Sequence, residues 1–167
     1  MNPIQTNMPL LARHAGIWEG EYTHLAPDRT VQDQHLFRIL VELPEDREAA
    51  YRQTSHYWWP DGRTQQLRYE ARYAEGRLAF DTGRIHGRLW EIDDRTLYMR
   101  FAFHADPAGY VCEMLQLSPD GRNRARTWHW FREEVLWRIT LVRERRVRGG
   151  AQEFEALTAT IPRALEA

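Results

Sequence analysis

The sequence predicts an all-β fold: an antiparallel up-and-down β-barrel of about ten strands with a short helix at each end. From Ile17 to Val147, short segments that alternate apolar and polar residues are separated by turn signals such as PDGR, AEGR, DTGR and SPDGRN. These turn signals recur roughly every 8–12 residues, which is typical of successive antiparallel strands. No composition shift or longer repeat divides the chain, so we expect a single domain over residues 1–167.

The strands are flanked by two segments with helical patterns. Pro3 to His14 predicts a helix before the first strand, and Gln152 to Glu166 predicts one after the last strand, broken near Pro162. Proline removes a backbone donor and interrupts a helix.

Composition excludes several classes of function. All 23 basic residues are arginines against 24 acidic residues, so lysine Schiff-base chemistry and a lysine-dependent phosphate loop are excluded, and nucleic-acid binding is disfavoured. Cys112 is the only cysteine, which fits a reducing compartment and excludes a multi-cysteine zinc site. With no secretion signal and no long apolar run, we expect a cytoplasmic protein that does not bind membranes.

The alternation also predicts which side chains face the interior, because successive residues of a strand point to opposite faces. Odd-numbered residues from the second strand onward form the apolar and aromatic face, and the first strand contributes Trp18, Gly20, Tyr22 and His24. We expect this interior to bind a ligand, since about eight strands already reach the limit of a filled barrel. A fully packed aromatic core is the alternative. The expected ligand-binding residues are His35, Ser55, Tyr57, Trp59, Tyr69, Tyr73, Phe101, Thr127 and Trp137.

One interior position carries a carboxylate. The strand YVCEMLQL places Glu113 inside, and a hairpin through SPDGRN that pairs Leu117 with Ala125 sets Glu113 opposite His129. Burial raises the pKa of a carboxyl group and lowers that of an imidazole, and pairing opposes both shifts. Two such groups suit a general acid and a general base. The alternative is a structural hydrogen bond that satisfies two buried polar groups.

Inward histidines raise the question of a metal or a haem. His24, His35 and His129 have no paired spacing of the HExxH kind and no clustered carboxylates, so the sequence predicts no metal site and no cofactor. A haem ligated by one inward histidine stays an alternative.

The predicted outer face is also aromatic. A patch of this kind is covered by a terminal helix or by another subunit, so the pattern favours a homodimer. The outward set is His56, Trp58, Trp90, Tyr98, His104, Trp128 and Trp130, with Cys112 on the same side as an inert thiol.

Three stretches resemble a known group of barrels. GIWEG at residues 16–20 is similar to the Gly-x-Trp opening of lipocalin-like, or calycin, barrels, whose tryptophan closes one end. RARTW at residues 124–128 and WRITLVRER at residues 137–145 resemble a lipocalin-like family known mainly as a domain of unknown function in photosynthetic lineages. Some of its members resemble a chloroplast ATP synthase biogenesis factor. The likeness covers about Leu10 to Val147 and implies the fold rather than one activity, because calycin barrels include carriers, haem-binding barrels, phycobilin lyases and cyclases.

Three functions therefore stay open. The first is binding of a small, largely apolar aromatic or polyene molecule inside the barrel. The second is a cofactor-free, non-redox lyase, isomerase or cyclase in which Glu113 and His129 move protons. The third is an assembly factor that acts through its outer aromatic and arginine surface.

Overall fold

The computed structural model describes residues 1–45 and 49–164. Its ten antiparallel strands close into one barrel, in which each strand pairs with its neighbours in sequence and the first pairs with the last. This confirms the predicted fold class. The strands are β1 (Gly16–Leu25), β2 (Val31–Glu42), β3 (Tyr51–Trp58), β4 (Thr64–Ala74), β5 (Arg77–Asp81), β6 (Ile85–Glu91), β7 (Thr96–Phe103), β8 (Gly109–Leu117), β9 (Asn123–Arg132) and β10 (Val135–Val147). LPEDRE at residues 43–48 is a further turn signal of the sequence, and part of it lies outside the described residues.

Through β8, the interior is the face that the alternation predicts, except in β5, where the even-numbered residues Leu78 and Phe80 are buried. Even-numbered residues of β1 such as Trp18 and Tyr22 are buried, as are odd-numbered residues of β2 and β3 such as Phe37 and Tyr57. Matching the apolar faces of the hairpin at ADPAG predicts Phe101 opposite Glu113, but Met99, two positions away, is the partner, and both strands keep their predicted inner faces. A shift of two residues preserves the face, because the side-chain period of a strand is two.

In β9 and β10 the predicted faces are wrong. Leu117 pairs with Arg124 rather than with Ala125, because the turn between β8 and β9 is one residue shorter than expected. The turn is closed by a hydrogen bond from the Ser118 N–H to the Asn123 carbonyl (2.8 Å) and contains Gly121 at a φ of 69°. A one-residue slip moves every side chain of a strand to the other face. The inward residues of β9 are therefore Arg124, Arg126, Trp128 and Trp130.

The N-terminal helices close one end of the barrel, called here the closed end. They are α1 (Pro3–Asn7) and α2 (Pro9–Ala12), and the predicted single helix is interrupted because Pro9 begins a second one. The Asn2 amide donates to the carbonyls of Pro44 and Ala50 (both 2.7 Å), and the Leu11 N–H donates to Glu91 (2.9 Å). Trp18, fully buried, lies beneath these helices and donates to the His14 carbonyl (2.9 Å).

The C-terminal helix, α3 (Ala151–Leu157), lies on the outside of β1 and β2. It is shorter than predicted, and the end of the predicted segment lies outside the described residues. Phe154 is fully buried against Ile17 and Leu40. Beneath the helix, Arg38 donates to Glu19 (Nε to Oε1, 2.7 Å) and to the Thr160 carbonyl (2.9 Å), so this patch of the wall is covered from within the chain.

Candidate functional site

The barrel encloses a small cavity of about 80 Å³. Most of its wall is aromatic or aliphatic, its charged side chains Glu113 and Arg126 come from β8 and β9, and Gln53 of β3 adds one polar amide. The lining residues are Tyr22, Tyr51, Gln53, Tyr57, Tyr69, Phe80, Ile85, Leu89, Met99, Phe101, Phe103, Glu113, Leu115, Arg126 and Trp128. Two larger depressions, of about 740 and 720 Å³, are lined mostly by polar and charged residues such as Arg145 and Arg72.

The structure brings together four of the residues expected from the sequence. Tyr57, Tyr69, Phe101 and Glu113 line the cavity, as expected for inward positions. Burial raises the pKa of Tyr57 and raises that of Tyr69 to about 12, so both phenols are neutral donors at physiological pH.

The other expected residues lie elsewhere. His35 and Trp59 are at the open end of the barrel, called here the mouth, and Trp137 is there too, at a bulge of β10. Ser55 is fully buried and accepts a hydrogen bond from Gln53 (3.0 Å). The Tyr73 hydroxyl accepts from the Gly76 N–H (3.1 Å) in the β4–β5 turn, and Thr127 lies on the outer face of β9.

The predicted pair of Glu113 and His129 does not form. Glu113 pairs with Trp128 across the ladder, whereas His129 pairs with Cys112 on the outer face. The reason is the same one-residue slip in the β8–β9 turn, which exchanges the two faces of β9. An acid–base mechanism through these two groups is therefore excluded by the register.

The partner of Glu113 is Arg126. The Arg126 guanidinium donates to the Glu113 carboxylate (Nη1 to Oε1, 3.3 Å), and both side chains are about 95% buried. Burial raises the pKa of Glu113, and the adjacent Arg126 charge opposes that shift. The carboxylate therefore balances a buried cation.

Arg126 connects this pair to a second one. It donates to the Tyr22 hydroxyl and lies 3.2 Å from the Glu144 carboxylate (Nη2 to Oε1). Glu144 in turn accepts from Arg124, whose guanidinium also lies 4.3 Å from the Trp18 ring centroid. Two arginines and two glutamates thus form a buried network without excess charge. Buried ion pairs of this kind are strongly destabilised when one partner is removed.

Two donors beside the cavity are not used by the protein. Among the described residues, the Nε of Arg126 and the indole Nε1 of Trp128 are buried without a hydrogen-bond acceptor. The Trp128 N–H interacts with the Glu113 carboxyl and lowers its pKa, but it makes no hydrogen bond of standard geometry. Buried donors are normally satisfied, so this pair indicates where a ligand oxygen would be bound.

The mouth carries a second polar cluster, formed by His24, Asp33 and His35. The His35 Nδ1 lies 2.6 Å from the Asp33 carboxylate, which also accepts from the Trp59 indole (3.1 Å). The His24 Nδ1 lies 2.8 Å from the Thr140 hydroxyl.

The surroundings of the mouth cluster shift its pKa values. Burial, followed by the charges of His35 and Arg138, lowers the pKa of His24 to about 4. Burial also lowers the pKa of His35, against the effect of Asp33. Burial opposes ionisation of Asp33, but hydrogen bonds from His35 and Trp59 outweigh it and lower the pKa of the carboxyl.

Sequence reasoning placed His24, Asp33 and His35 on the inner face but did not connect them, because they lie on two strands without a local motif. The structure pairs His24 with Asp33 across the β1–β2 hairpin, next to the pair of Tyr22 and His35. Aligning the inward-facing residues of the two strands of that hairpin would have identified the cluster. Arg126 and Trp128 were missed because the predicted inner and outer faces of β9 are exchanged in the structure.

The outer aromatic patch is smaller than the sequence indicates. Trp128 and Trp130 face inward, and His56 packs against Phe154 of α3 (ring centroids 5.4 Å apart). Trp90 and Tyr98 remain together on the outer face, with ring centroids 4.8 Å apart. A homodimer and an assembly role through this surface stay predictions.

The family model described as "Domain of unknown function (DUF3598), N-terminal" matches residues 5–149. The chain belongs to the DUF3598 family. This confirms the resemblance to a lipocalin-like family of unknown function.

Three solved structures share the fold. A DUF3598 protein of unknown function from Nostoc punctiforme is 16% identical with a TM-score of 0.62, over 82% of this chain and 49% of that one. The chain therefore spans about half the length of that relative. The S-type phycobiliprotein lyase CPES from Guillardia theta is 12% identical with a TM-score of 0.66, over 85% and 93% of the two chains. The protein Rv2717c from M. tuberculosis is 11% identical with a TM-score of 0.61, over 86% and 98%.

At these identities the likeness shows the fold alone. No curated protein matches the chain. Among the described residues, no helix has the length and apolar character that crossing a bilayer requires.

Proposed function

We propose that this DUF3598 protein binds a small planar aromatic molecule inside the barrel, with a carbonyl or carboxylate oxygen directed at Arg126 and Trp128. The observation that carries the proposal is the pair of buried donors without an acceptor at one side of a largely aromatic and aliphatic cavity. Burying a donor without a partner costs free energy, which a ligand acceptor would recover.

The apolar wall suits an aromatic ring. Tyr57, Tyr69 and Phe101 supply aromatic surface, and Met99 and Leu115 supply aliphatic contact. Aromatic pairs add favourable edge and face contacts to the burial of apolar area. A ligand with one ring and one oxygen acceptor would use both parts of the cavity.

Cavity size limits the ligand. Pockets for drug-sized molecules measure roughly 300–1,000 Å³, whereas this one measures about 80 Å³. A long polyene or a haem would require the interior side chains to move. The proposal is therefore narrower than the sequence expectation and favours a single-ring molecule, or one ring of a larger molecule that enters through the mouth.

A matched pair of probes tests the donors. Acetophenone and α-methylstyrene have nearly the same planar shape, but only acetophenone has a carbonyl oxygen. We expect acetophenone to bind about tenfold more tightly, because a hydrogen bond to a charged donor contributes about 1.5–3 kcal/mol. Saturation-transfer NMR and the intrinsic tryptophan fluorescence of the protein report binding. Equal binding of both compounds, or of neither, contradicts the proposal.

A matched pair of variants locates the site. Leu115 lines the cavity, whereas its neighbour Met114 is exposed on the outer face. Leu115→Phe should fill the cavity and weaken acetophenone binding by about tenfold or more, while Met114→Phe should bind like the wild type. Near-ultraviolet circular dichroism verifies that both variants fold. Unchanged affinity in a folded Leu115→Phe variant would place the ligand elsewhere.

A further inference from the structure

The mouth cluster has the donor set of a metal site. One nitrogen of His24, one nitrogen of His35 and one oxygen of Asp33 all lie within 4.8 Å of one another. Two imidazoles and one carboxylate are ligands that zinc and iron(II) accept, with further positions open to water or substrate.

The geometry requires a modest rearrangement to bind an ion. Ligands of a tetrahedral zinc ion lie about 3.3 Å apart, since zinc–nitrogen bonds are about 2.0 Å long. The His35 nitrogen and the Asp33 oxygen are now 2.6 Å apart, and the widest pair in the cluster is within 4.8 Å. An ion would replace the proton shared by His35 and Asp33 and draw His24 closer. Asp33 is partly exposed, so its side chain has room to move.

Neighbouring residues hold the cluster in place. Trp59 donates to Asp33, and Thr140 contacts the Nδ1 of His24, which leaves the Nε2 of His24 available to an ion. Such supporting hydrogen bonds are typical around metal ligands. Tyr22 stacks on the His35 ring, with centroids 5.0 Å apart and an interplanar angle of 12°.

Two arginines near the cluster oppose a cation. The charge of Arg63 lowers the pKa of His35, and the charge of Arg138 lowers the pKa of His24. Each arginine, however, has a partner of its own. Arg63 pairs with Asp61 (2.7 Å), and Arg138 donates to Gln32 (3.2 Å). Both contacts lie in exposed surroundings, where solvent screens charge.

We propose that His24, Asp33 and His35 bind one divalent transition-metal ion of the zinc class at the mouth, with at least one position left for water or an entering ligand. The ion would lie beside Tyr22, which also lines the cavity. The site does not depend on the proposed aromatic ligand, since ion binding is measurable with no organic molecule present.

The test uses the full chain, without an affinity tag, stripped of metal with a chelator. Isothermal titration with Zn²⁺ and visible absorption with Co²⁺ report the number and affinity of bound ions. We expect one ion per chain. The near-isosteric variants His24→Gln, His35→Gln and Asp33→Asn should each bind at least tenfold more weakly, the size of effect seen when metal-site groups are lost.

The outer wall provides the control. His86 and His104 form an exposed pair with ring centroids 4.9 Å apart, the most obvious place for adventitious binding. The double variant His86→Gln/His104→Gln should keep its bound ion and its affinity. The proposal is overturned if the wild type binds no ion, if affinity follows His86 and His104, or if the folded mouth variants bind within tenfold of the wild type.

Discussion

The closed end and the mouth of the barrel both contain buried polar groups, but they arrange them differently. At the closed end Arg124, Arg126, Glu113 and Glu144 balance one another inside the protein. At the mouth the histidines and Asp33 face the opening, and Asp33 is partly exposed. The ion pairs toward the closed end stabilise the fold and leave the Arg126 Nε and the Trp128 indole as donors without an acceptor, whereas the mouth groups lie at the opening, where Asp33 has room to move.

The largest expected effect contrasts one carboxylate from each end. Glu144→Gln leaves two buried arginines short of a counter-charge and should lower the free energy of unfolding by about 3–5 kcal/mol. Asp33→Asn should cost about 1 kcal/mol or less, because its pair with His35 is partly exposed. Urea denaturation at pH 7.5 measures both. Equal losses would show that the two ends do not differ in this way.

A second contrast concerns how tightly the barrel wall and a turn at the mouth are packed. A Cβ at Gly20 would lie 1.9 Å from the Arg143 carbonyl oxygen and 3.0 Å from Phe37, whereas one at Gly83, in the β5–β6 turn at the mouth, has no neighbour within 4 Å. Gly20→Ala should lower the free energy of unfolding by about 1–3 kcal/mol. Gly83→Ala should change it by less than about 0.5 kcal/mol. The same denaturation series measures both variants. An unchanged free energy of unfolding for Gly20→Ala would show that the backbone near Arg143 can shift to accommodate a methyl group.

The smallest expected effect is a pH dependence from the closed end. Burial, with the charges of Arg124 and Arg146, lowers the pKa of His14 well below 6.5. Between pH 6.5 and that lower value the unfolded chain binds the proton and the folded chain does not. Stability should therefore fall as the pH decreases, by at most about 1.4 kcal/mol per pH unit for each such histidine.

His14→Gln should reduce this loss while keeping a side-chain acceptor for Arg124, which now lies 3.3 Å from the His14 Nδ1. Melting temperatures between pH 7.5 and 5.5 measure the effect. The remaining slope belongs to other histidines such as the partly buried His24, whose pKa of about 4 acts in the same direction. An unchanged slope in the variant would show that His14 does not titrate as expected.

Much of the fold follows from local patterns. Turn signals and alternation predicted the closed ten-stranded barrel and the inward faces of β1 to β8 apart from β5, including Tyr57, Tyr69 and Glu113. These elements are predictable because a strand buried on one face has alternating apolar and polar residues, a pattern visible in the sequence itself.

The candidate site was harder to predict, because it depends on partners from distant strands. The spacing of Arg124 and Arg126, two residues apart on one strand, is typical of charges on a solvent-facing surface. In the structure each is buried against an acidic side chain. Their burial is decided by Glu113 and Glu144 on neighbouring strands, and single-strand patterns carry no information about such partners.

By itself the sequence determined an all-β barrel with an aromatic interior, because alternation and turn chemistry are local properties. Tertiary structure alone decided which face of β9 points inward and which groups meet there. The turn from Ser118 to Asn123 is one residue shorter than the pattern indicates, and with a side-chain period of two that difference exchanges His129 for Trp128 in the interior.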